Sequence, residues 1–329
     1  MKHFHRSLIA LPALLALWAP ALHADHFSRA GSLLLLPEFD SRPGKQTFLT
    51  ITNTNANAQG GTVRVDLVYV NGADTPQPRC SRIFRRATLT ANDTLTVSSL
   101  IHAPGFSRGY CYAYASNPST GHPIAFNHLV GQVHVRDSST IQAYSINAIP
   151  FASAPALAEG QLTDVDFDGI RDLNGVEYVP APAEILVPRF LGQSSGYTSE
   201  LILLGLTGGT QFTTQVMLVV RNDNEEVFAA DHSFACWEKV PLLAVSALFD
   251  NNFLLVTNHS PSESVQLREQ GWFSVNGILA YSSGVQIADP AVLAVLCEGS
   301  TNSAAELPFA TGTQANGDLL PTGLFGDFN

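Results

Sequence analysis

The chain has 329 residues, of which 45% are hydrophobic and 14% are charged, and its formal net charge is −11 at pH 7. This apolar content can fill a folded core, and the low charge density excludes an intrinsically disordered chain. The acidic balance also argues against nucleic-acid binding, because the chain as a whole would repel phosphates. The charge is uneven: residues 25–150 hold ten Lys/Arg against seven Asp/Glu, whereas residues 151–329 hold five against twenty-one.

Residues 1–24 are typical of a secretory signal peptide. Lys2 and Arg6 provide a positive start, residues 8–18 form an apolar run, and Ala21 and Ala24 offer small-residue cleavage sites. The apolar run is too short to span a bilayer, and no later stretch is long and apolar enough to do so. We therefore expect an exported mature chain without a membrane span, located in the periplasm, outside the cell or at the cell surface.

The rest of the chain has the pattern of short strands. Alternating runs rich in Val, Leu, Thr and aromatic residues recur between Gly, Asn and Pro clusters, as in residues 63–69 and 212–220. Helical periodicity is nearly absent. This pattern predicts an all-β fold, and the strand spacing favours β-sandwiches.

Two parts of the chain resemble each other in a common order over more than a hundred residues. Pro37 and Phe39 match Pro188 and Phe190, "VDLVYVNG" matches "VMLVVRND", "LTVSSL" (95–100) matches "LAVSAL" (243–248), and Cys80 corresponds roughly to Cys236. We therefore predict two tandem, internally duplicated Ig-like β-sandwich domains. Their predicted bounds are 30–150 and 183–310, with an acidic linker at 151–182 and a C-terminal tail at 311–329.

Four cysteines lie in the part of the chain predicted to be exported: Cys80, Cys111, Cys236 and Cys297. An even count in an oxidising compartment predicts two disulfides. Zinc is disfavoured because no CxxC or HxxxH spacing is present. Two cysteines fall in each half, which favours Cys80–Cys111 and Cys236–Cys297. Other connectivities stay open, because Cys111 and Cys297 lie in strands that do not correspond.

Two features of the first half are candidate ligand surfaces. One is a basic cluster around Cys80, formed by Arg79, Arg82, Arg85 and Arg86. Its guanidinium groups suit an anionic glycan, although a solvated loop is the simpler interpretation. The other is an alternating stripe of Tyr110, Tyr112 and Tyr114. It would either stack on sugar rings or a partner protein, or fill the core, and the core interpretation is favoured.

The stretch "DVDFDGIRDLNGVEY" (164–178) is the most specific motif. Calcium takes six to eight oxygens from a loop that curls around it, and alternate residues of such a loop point inward. The candidate ligands are Asp164, Asp166, Asp168, the carbonyl of Ile170, Asp172 and Glu177. The stretch resembles the DxDxDG loops of EF-hand, dockerin and thrombospondin type 3 repeats.

The loop departs from those families at its twelfth position, which is Gly175 instead of a bidentate acid. Glu177 replaces that acid if the backbone bulges at Asn174 and Gly175. The competing interpretation is an acidic, solvated linker without an ion. If calcium binds, the resemblance implies stiffening of the linker and no catalysis.

The other motifs give little support for a catalytic or metal site. The pattern GxSxG at 192–196 is followed by another strand, whereas a nucleophile elbow needs a helix there. Asp223, Glu225 and Glu226 are typical of a hairpin tip. The histidines show no shared ligand spacing: His102, His122, His128, His134, His232 and His259.

As a whole the chain resembles exported bacterial proteins with tandem Ig-like β-sandwiches, on the signal peptide, "LLLLPEFDSRPGKQTFLTITNT" and "NGDLLP" (316–321). This resemblance implies a compartment and a fold, but no activity. The leading hypothesis is an exported, non-enzymatic structural or adhesive protein with a calcium-braced linker, whose partner is a cell-surface glycan or another exported protein. The alternatives are a glycan-binding module and, less favoured, a hydrolase with a site between the domains.

Overall fold

The computed structural model describes residues 29–319 except 139–141, 195, 197, 209–211, 223–225, 258–268 and 300–302. The predicted signal peptide lies outside the described residues, as do His259, Asp223 and Glu225. The chain is all-β, as predicted, with 57% strand and 7% helix. Within the described ranges, no helix has the length and apolarity needed to cross a bilayer.

The strands and helices form two similar series along the chain. In the first half they are β1 (Leu33–Asp40), β2 (Lys45–Asn53), β3 (Val63–Asn71), β4 (Arg82–Leu89), β5 (Thr94–Ser98), α1 (Ser99–His102), β6 (Arg108–Ser116), β7 (Leu129–Asp137), β8 (Gln142–Asn147) and β9 (Ile149–Phe151), and β10 (Arg171–Leu173) follows. In the second half they are β11 (Glu184–Leu191), β12 (Thr198–Gly205), β13 (Thr213–Asn222), β14 (Val227–Ala235), β15 (Trp237–Pro241), α2 (Leu242–Val245), α3 (Asn251–Thr257), β16 (Gln270–Ser282), β17 (Val285–Ala288), β18 (Val292–Gly299), β19 (Ser303–Glu306) and β20 (Phe309–Thr311), and β21 (Gly317–Leu319) follows.

The same strand order occurs twice, which is the structural form of the internal repeat. The first half has sheets β4-β3-β6-β1-β9 and β5-β2-β7-β8, and the second half has β14-β13-β16-β11-β20 and β15-β12-β18-β19. The first strand of each half also shifts register at the same place, between Leu36 and Phe39 in β1 and between Val187 and Phe190 in β11. The prolines matched in the sequence, Pro37 and Pro188, lie within these two bulges.

The four large sheets are arranged as a four-bladed, propeller-like ring, and two separate Ig-like sandwiches are not clearly distinguished.

The repeat also corrects one predicted alignment. Strands β5 and β15 each have five residues and run directly into a four-residue helix, so Thr94 corresponds to Trp237. The match of residues 95–100 with 243–248 is therefore wrong in register.

The acidic segment 152–182 packs against the first half instead of crossing solvent. Ser153 bridges to Tyr178 within it, and Ile124 of the first half bridges to Leu162. Strand β10 pairs with β21 from the far end of the described chain. Leu173, Tyr178 and Leu319 are buried, and the guanidinium of Arg171 lies 5.1 Å from the ring centroid of Tyr114 on β6. The segment thus forms a covering layer on the first half.

The tyrosine stripe is buried, because β6 is a central strand covered on both sides. Tyr110, Tyr112 and Tyr114 are 1%, 1% and 2% exposed, and Cys111 between them is 0% exposed. The stripe therefore offers no ligand surface.

The predicted disulfides are corrected by the structure. Cys80 is bonded to Cys236, while Cys111 and Cys297 are free and buried. Cys111 and Cys297 lie inside central strands of different sheets, whereas Cys80 and Cys236 lie in loops where the two halves meet. The two bonded cysteines are not equivalent either, since Cys80 precedes β4 and Cys236 follows β14.

Two buried side chains of the second half, Trp237 and Lys239, complete this junction by bonding to the first half. Trp237 is 1% exposed and donates its indole N–H to the carbonyl oxygen of Pro37. Beside it, Lys239 Nζ lies 2.8 Å from Glu38 Oε1 and 2.6 Å from Tyr144 Oη. A disulfide, an aromatic anchor and a buried ion pair therefore hold the halves together.

Candidate metal site

The aspartate loop begins the covering layer and is curled by its own side chains. Asp166 Oδ1 accepts a hydrogen bond from the backbone N–H of Asp168, and Asp168 Oδ1 accepts one from that of Ile170, at 2.7 Å. The backbone is left-handed at Phe167 (φ 60°) and Gly169 (φ 83°). Glycine adopts this conformation at little cost, whereas it is strained for phenylalanine. These turns bring alternate carboxylates to one side of the loop.

Three of the predicted ligands converge. One carboxylate oxygen from each of Asp164, Asp166 and Asp168 lies within 4.8 Å of the other two. Asp164 is only 9% exposed, and its Oδ1 is buried without a hydrogen bond from the described residues. A buried carboxylate oxygen without a partner is costly in a native fold. The cluster could therefore hold a metal ion.

Glu177 closes the loop by binding its backbone. Its Oε1 accepts a hydrogen bond from the N–H of Val165 at 2.9 Å, and its Oε2 accepts one from the N–H of Asp172 at 3.1 Å. The residue is 1% exposed, and burial raises the pKa of its carboxyl to about 7. Glu177 thus reaches into the loop from two positions past the expected one, but its oxygens are not part of the converging group of three.

The other two predicted ligands, Asp172 and the carbonyl of Ile170, are not among the three converging carboxylates. Asp172 lies in β10, its Oδ2 accepts a hydrogen bond from Asn174 Nδ2, and burial followed by the charge of Asp168 raises its pKa to about 6. The N–H of Ile170 is used by Asp168. The structure therefore brings together three of the six candidates and places the rest around them.

Arg171 belongs to this site, although the sequence pattern did not single it out. Its side chain is fully buried, and its Nη2 donates to Asp164 Oδ2 at 3.3 Å and to the carbonyl of Gly169 at 3.1 Å. The guanidinium offsets part of the carboxylate charge. The one signal in the sequence was its position, as the single basic residue between 151 and 182.

A cleft of about 400 Å³ adjoins the loop. Arg64, Tyr114, His122 and Phe167 are among its lining residues, and the Phe167 ring at its edge is 71% exposed. Arg64 lies 2.8 Å from Asp66 and also donates to the carbonyl of Gly121. The cleft therefore combines an exposed aromatic ring with a positive charge that is already paired.

The arginine cluster around Cys80 is mostly engaged within the protein. Arg79 pairs with Asp74, Arg86 pairs with Asp66, and Arg85 donates to the carbonyl of Phe84. Arg82 is half-buried, and burial lowers its pKa. The cluster does not present a common anion-binding surface.

The remaining candidates are structural. Ser194 of the GxSxG pattern lies in the loop between strands β11 and β12 and donates to Asp250, so no strand-to-helix elbow forms. Glu226 bonds to Asn222 at a hairpin. Separate partners engage four of the described histidines: His102 with Tyr69, His128 with Glu159, His134 with Ser145, and His232 with Glu238. His122 lines the cleft beside the aspartate loop.

Comparisons with protein-family models, curated proteins and solved structures found no match for this chain.

Proposed function

We propose that this chain is an exported, non-enzymatic structural or adhesive protein whose 164–177 loop binds calcium. The observation that carries the proposal is the convergence of Asp164, Asp166 and Asp168 around a buried, unsatisfied carboxylate oxygen. Every donor in this group is a carboxylate oxygen. Hard oxygen ligands favour calcium, magnesium or manganese over zinc or copper, and a flexible loop with several carboxylates suits the larger calcium ion.

The location of the loop indicates what the ion would do. The loop belongs to the layer that covers the tyrosines of β6, and the two halves are already held together by Cys80–Cys236 and Trp237. Calcium would therefore stiffen the covering layer by neutralising its clustered carboxylates, and would have little influence on the angle between the halves. A single extracellular loop of this kind binds calcium with Kd of about 10⁻⁴–10⁻³ M.

Export is supported by the disulfide as well as by the signal-like N-terminus, since disulfides persist in oxidising compartments. We also propose that each half descends from one Ig-like sandwich unit. The repeated order of a five-stranded and a four-stranded sheet supports this interpretation. The propeller-like ring would then result from the close packing of two such units.

A second candidate function is glycan binding at the cleft beside the loop. The observation that favours it is Phe167, which the loop holds exposed at the cleft edge in a left-handed backbone conformation. Exposed aromatic rings stack on sugar rings, and strained residues cluster at functional sites. Screening of glycans against the wild-type chain and Phe167→Ala tests this candidate separately from calcium binding.

Calorimetric titration of calcium into the mature chain tests the main proposal. We expect saturable binding that Asp166→Asn/Asp168→Asn abolishes. The control is Asp74→Asn/Asp231→Asn, which removes the same charge from exposed sites away from the loop. Absence of binding up to several times the expected Kd, or equal loss in the control variant, would refute the metal site.

A further inference from the structure

The two halves differ in how their corresponding sheets are covered. In the first half, β1 is buried at all eight positions and β6 at every position after its first. The neighbouring β3 is likewise buried at every position except its second, whereas its counterpart in the second half, β13, alternates between buried and partly exposed residues along its whole length. One side of the sheet β14-β13-β16-β11-β20 therefore faces solvent, and we call it the outer face of the second half.

Residue pairs at equivalent register positions show the size of this difference. Tyr110 is 1% exposed, while Trp272 at the same position of the second half is 37% exposed. Ile149 is 1% exposed, while its counterpart Phe309 is 66% exposed. The first half is covered by segment 152–182 and β21. Among the described residues, the outer face of the second half has no comparable layer.

The outer face carries apolar side chains on all five strands, and Ser274, Asn276 and Glu184 lie among them. It presents Leu186, Met217, Val219, Val227, Trp272 and Phe309, of which Val227 is 59% exposed. A sheet face that is meant for water normally carries polar residues at these alternate positions. Contiguous exposed apolar surface on a soluble domain marks an interaction site.

We propose that the outer face is the interface of a homodimer in which two copies stack these sheets face to face. The five strands are spaced about 4.8 Å apart and average about eight residues in length, so the face covers on the order of 600 Å². This area is at the lower end of the roughly 600–800 Å² that each partner buries in a standard interface. Stacked sheets of this kind pack like the two layers of a sandwich. The second copy thus supplies the layer that the first half receives from its own chain.

The charges on this face suit a two-fold arrangement. Arg221 lies at one end of the pairing of β13 with β14, next to Val227, and its guanidinium stacks 4.3 Å from the ring centroid of Trp272. Asp231, an exposed acid, lies on the same face four residues farther along β14. An antiparallel stacking brings the basic end of one copy toward the acidic end of the other.

A head-to-tail assembly that repeats the internal junction is disfavoured by the residues at the equivalent positions. The internal junction needs Trp237 and Lys239 on one side and Glu38 on the other. In a repeated contact Thr94 and Thr96 would replace Trp237 and Lys239, and Arg189 would replace Glu38. The aromatic anchor and the ion pair would both be lost, which favours the closed face-to-face dimer.

Sedimentation of the mature chain over concentrations on the order of 1–100 µM tests the proposal. We expect a monomer–dimer equilibrium that Val219→Asp weakens at least about tenfold, because it places a charge among the apolar side chains of the outer face. Ile101→Asp is the matched control, since Ile101 is 80% exposed on α1 of the first half. Trp272→Ser/Phe309→Ser is a second interface variant, useful if Val219→Asp fails to fold.

Fluorescence gives an independent readout, because the mature chain contains only Trp237 and Trp272 and the former is buried. Dimer formation should reduce acrylamide quenching of Trp272 as protein concentration rises, in the wild type and in Ile101→Asp. A monomer at every concentration overturns the proposal and leaves the face to a different partner. A dimer that both interface variants leave unchanged overturns it as well.

Discussion

The indole Nε1 of Trp237 lies 2.8 Å from the carbonyl oxygen of Pro37, two hundred residues away in the chain. The carbonyl is available because Pro37 lies at the bulge of β1, where the regular pairing with β6 is interrupted. One aromatic side chain thus fills the junction and satisfies a backbone acceptor that the sheet leaves unpaired.

Trp237→Ala should destabilise the chain by about 3–5 kcal/mol, because it leaves a large cavity and an unsatisfied carbonyl. Trp237→Phe should cost less, since it keeps most of the apolar volume and loses the hydrogen bond. Urea unfolding measures both. Equal stability of Trp237→Ala and the wild type would show that the indole does not hold the junction.

Gly72→Ala should also disturb the junction, because a Cβ at residue 72 would collide with the ring of Trp237. We expect a loss on the order of 1–3 kcal/mol from overpacking. Gly60→Ala is the control, since a Cβ there would meet only the flexible end of Asn57. In the background of Trp237→Ala the penalty at Gly72 should largely disappear, and a double-mutant cycle checks this.

Lys239→Met should cost about 3–5 kcal/mol, because it leaves the charge of Glu38 buried without its partner. The two side chains are only 8% and 1% exposed. The double variant Lys239→Met/Glu38→Gln should recover much of that loss, since no uncompensated charge remains. Thermal denaturation of the four proteins in the cycle gives the coupling energy. A double variant less stable than Lys239→Met would contradict this account.

The thiol count distinguishes the two disulfide schemes. With Cys80 bonded to Cys236, a thiol reagent should find two free thiols per chain after unfolding without reductant, and almost none in the native protein. The native thiols should be unreactive because both are buried. Zero free thiols in the unfolded chain would restore a scheme with two disulfides.

Stability should decrease as the pH rises from about 9 toward 12. Burial raises the pKa of Cys297 from its ordinary value of 9.0 to about 12. Between these two pH values, the Cys297 thiol keeps its proton in the folded state and loses it in the unfolded state. Its contribution to stability is therefore complete below the unfolded pKa of 9.0 and is lost as the pH rises through the folded pKa of about 12. Cys297→Ala should flatten this decrease by on the order of 1–3 kcal/mol, as measured by urea unfolding at each pH. An unchanged slope would contradict the buried-thiol origin.

Calcium should stabilise the covering layer against proteolysis and heat. At 10 mM calcium and a Kd of about 10⁻⁴–10⁻³ M, mass action adds about 1–3 kcal/mol. The gain should be absent from Asp166→Asn/Asp168→Asn. Stabilisation that persists in this variant would indicate non-specific screening of the acidic half.

Much of the fold followed from local pattern. The alternation in residues 212–220 predicted a strand with one buried side, and β13 has this pattern. The matched prolines predicted a repeat, and both lie in equivalent bulges. In the loop, alternate spacing was enough to predict that Asp164, Asp166 and Asp168 converge, because that geometry is set within six residues.

The errors concern contacts between distant parts of the chain. Cysteine spacing within each half favoured local bridges, whereas Cys80–Cys236 depends on how the halves pack. The alternation of Tyr110, Tyr112 and Tyr114 with small residues indicated one buried and one open side. It could not reveal that segment 152–182 covers the open side, since that layer shares no periodicity with β6.

The pairing of β10 with β21 joins Leu173 to Gly317, a separation of 144 residues. Closing so long a loop costs conformational entropy. We expect the contacts that offset this cost to form late in folding, once both halves are present. Until residue 317 has been synthesised, β10 lacks its partner strand, and the layer over the tyrosine side of β6 is incomplete and liable to aggregate. The first half can therefore acquire its own strand order early, but its surface is completed only when the second half has folded beside it.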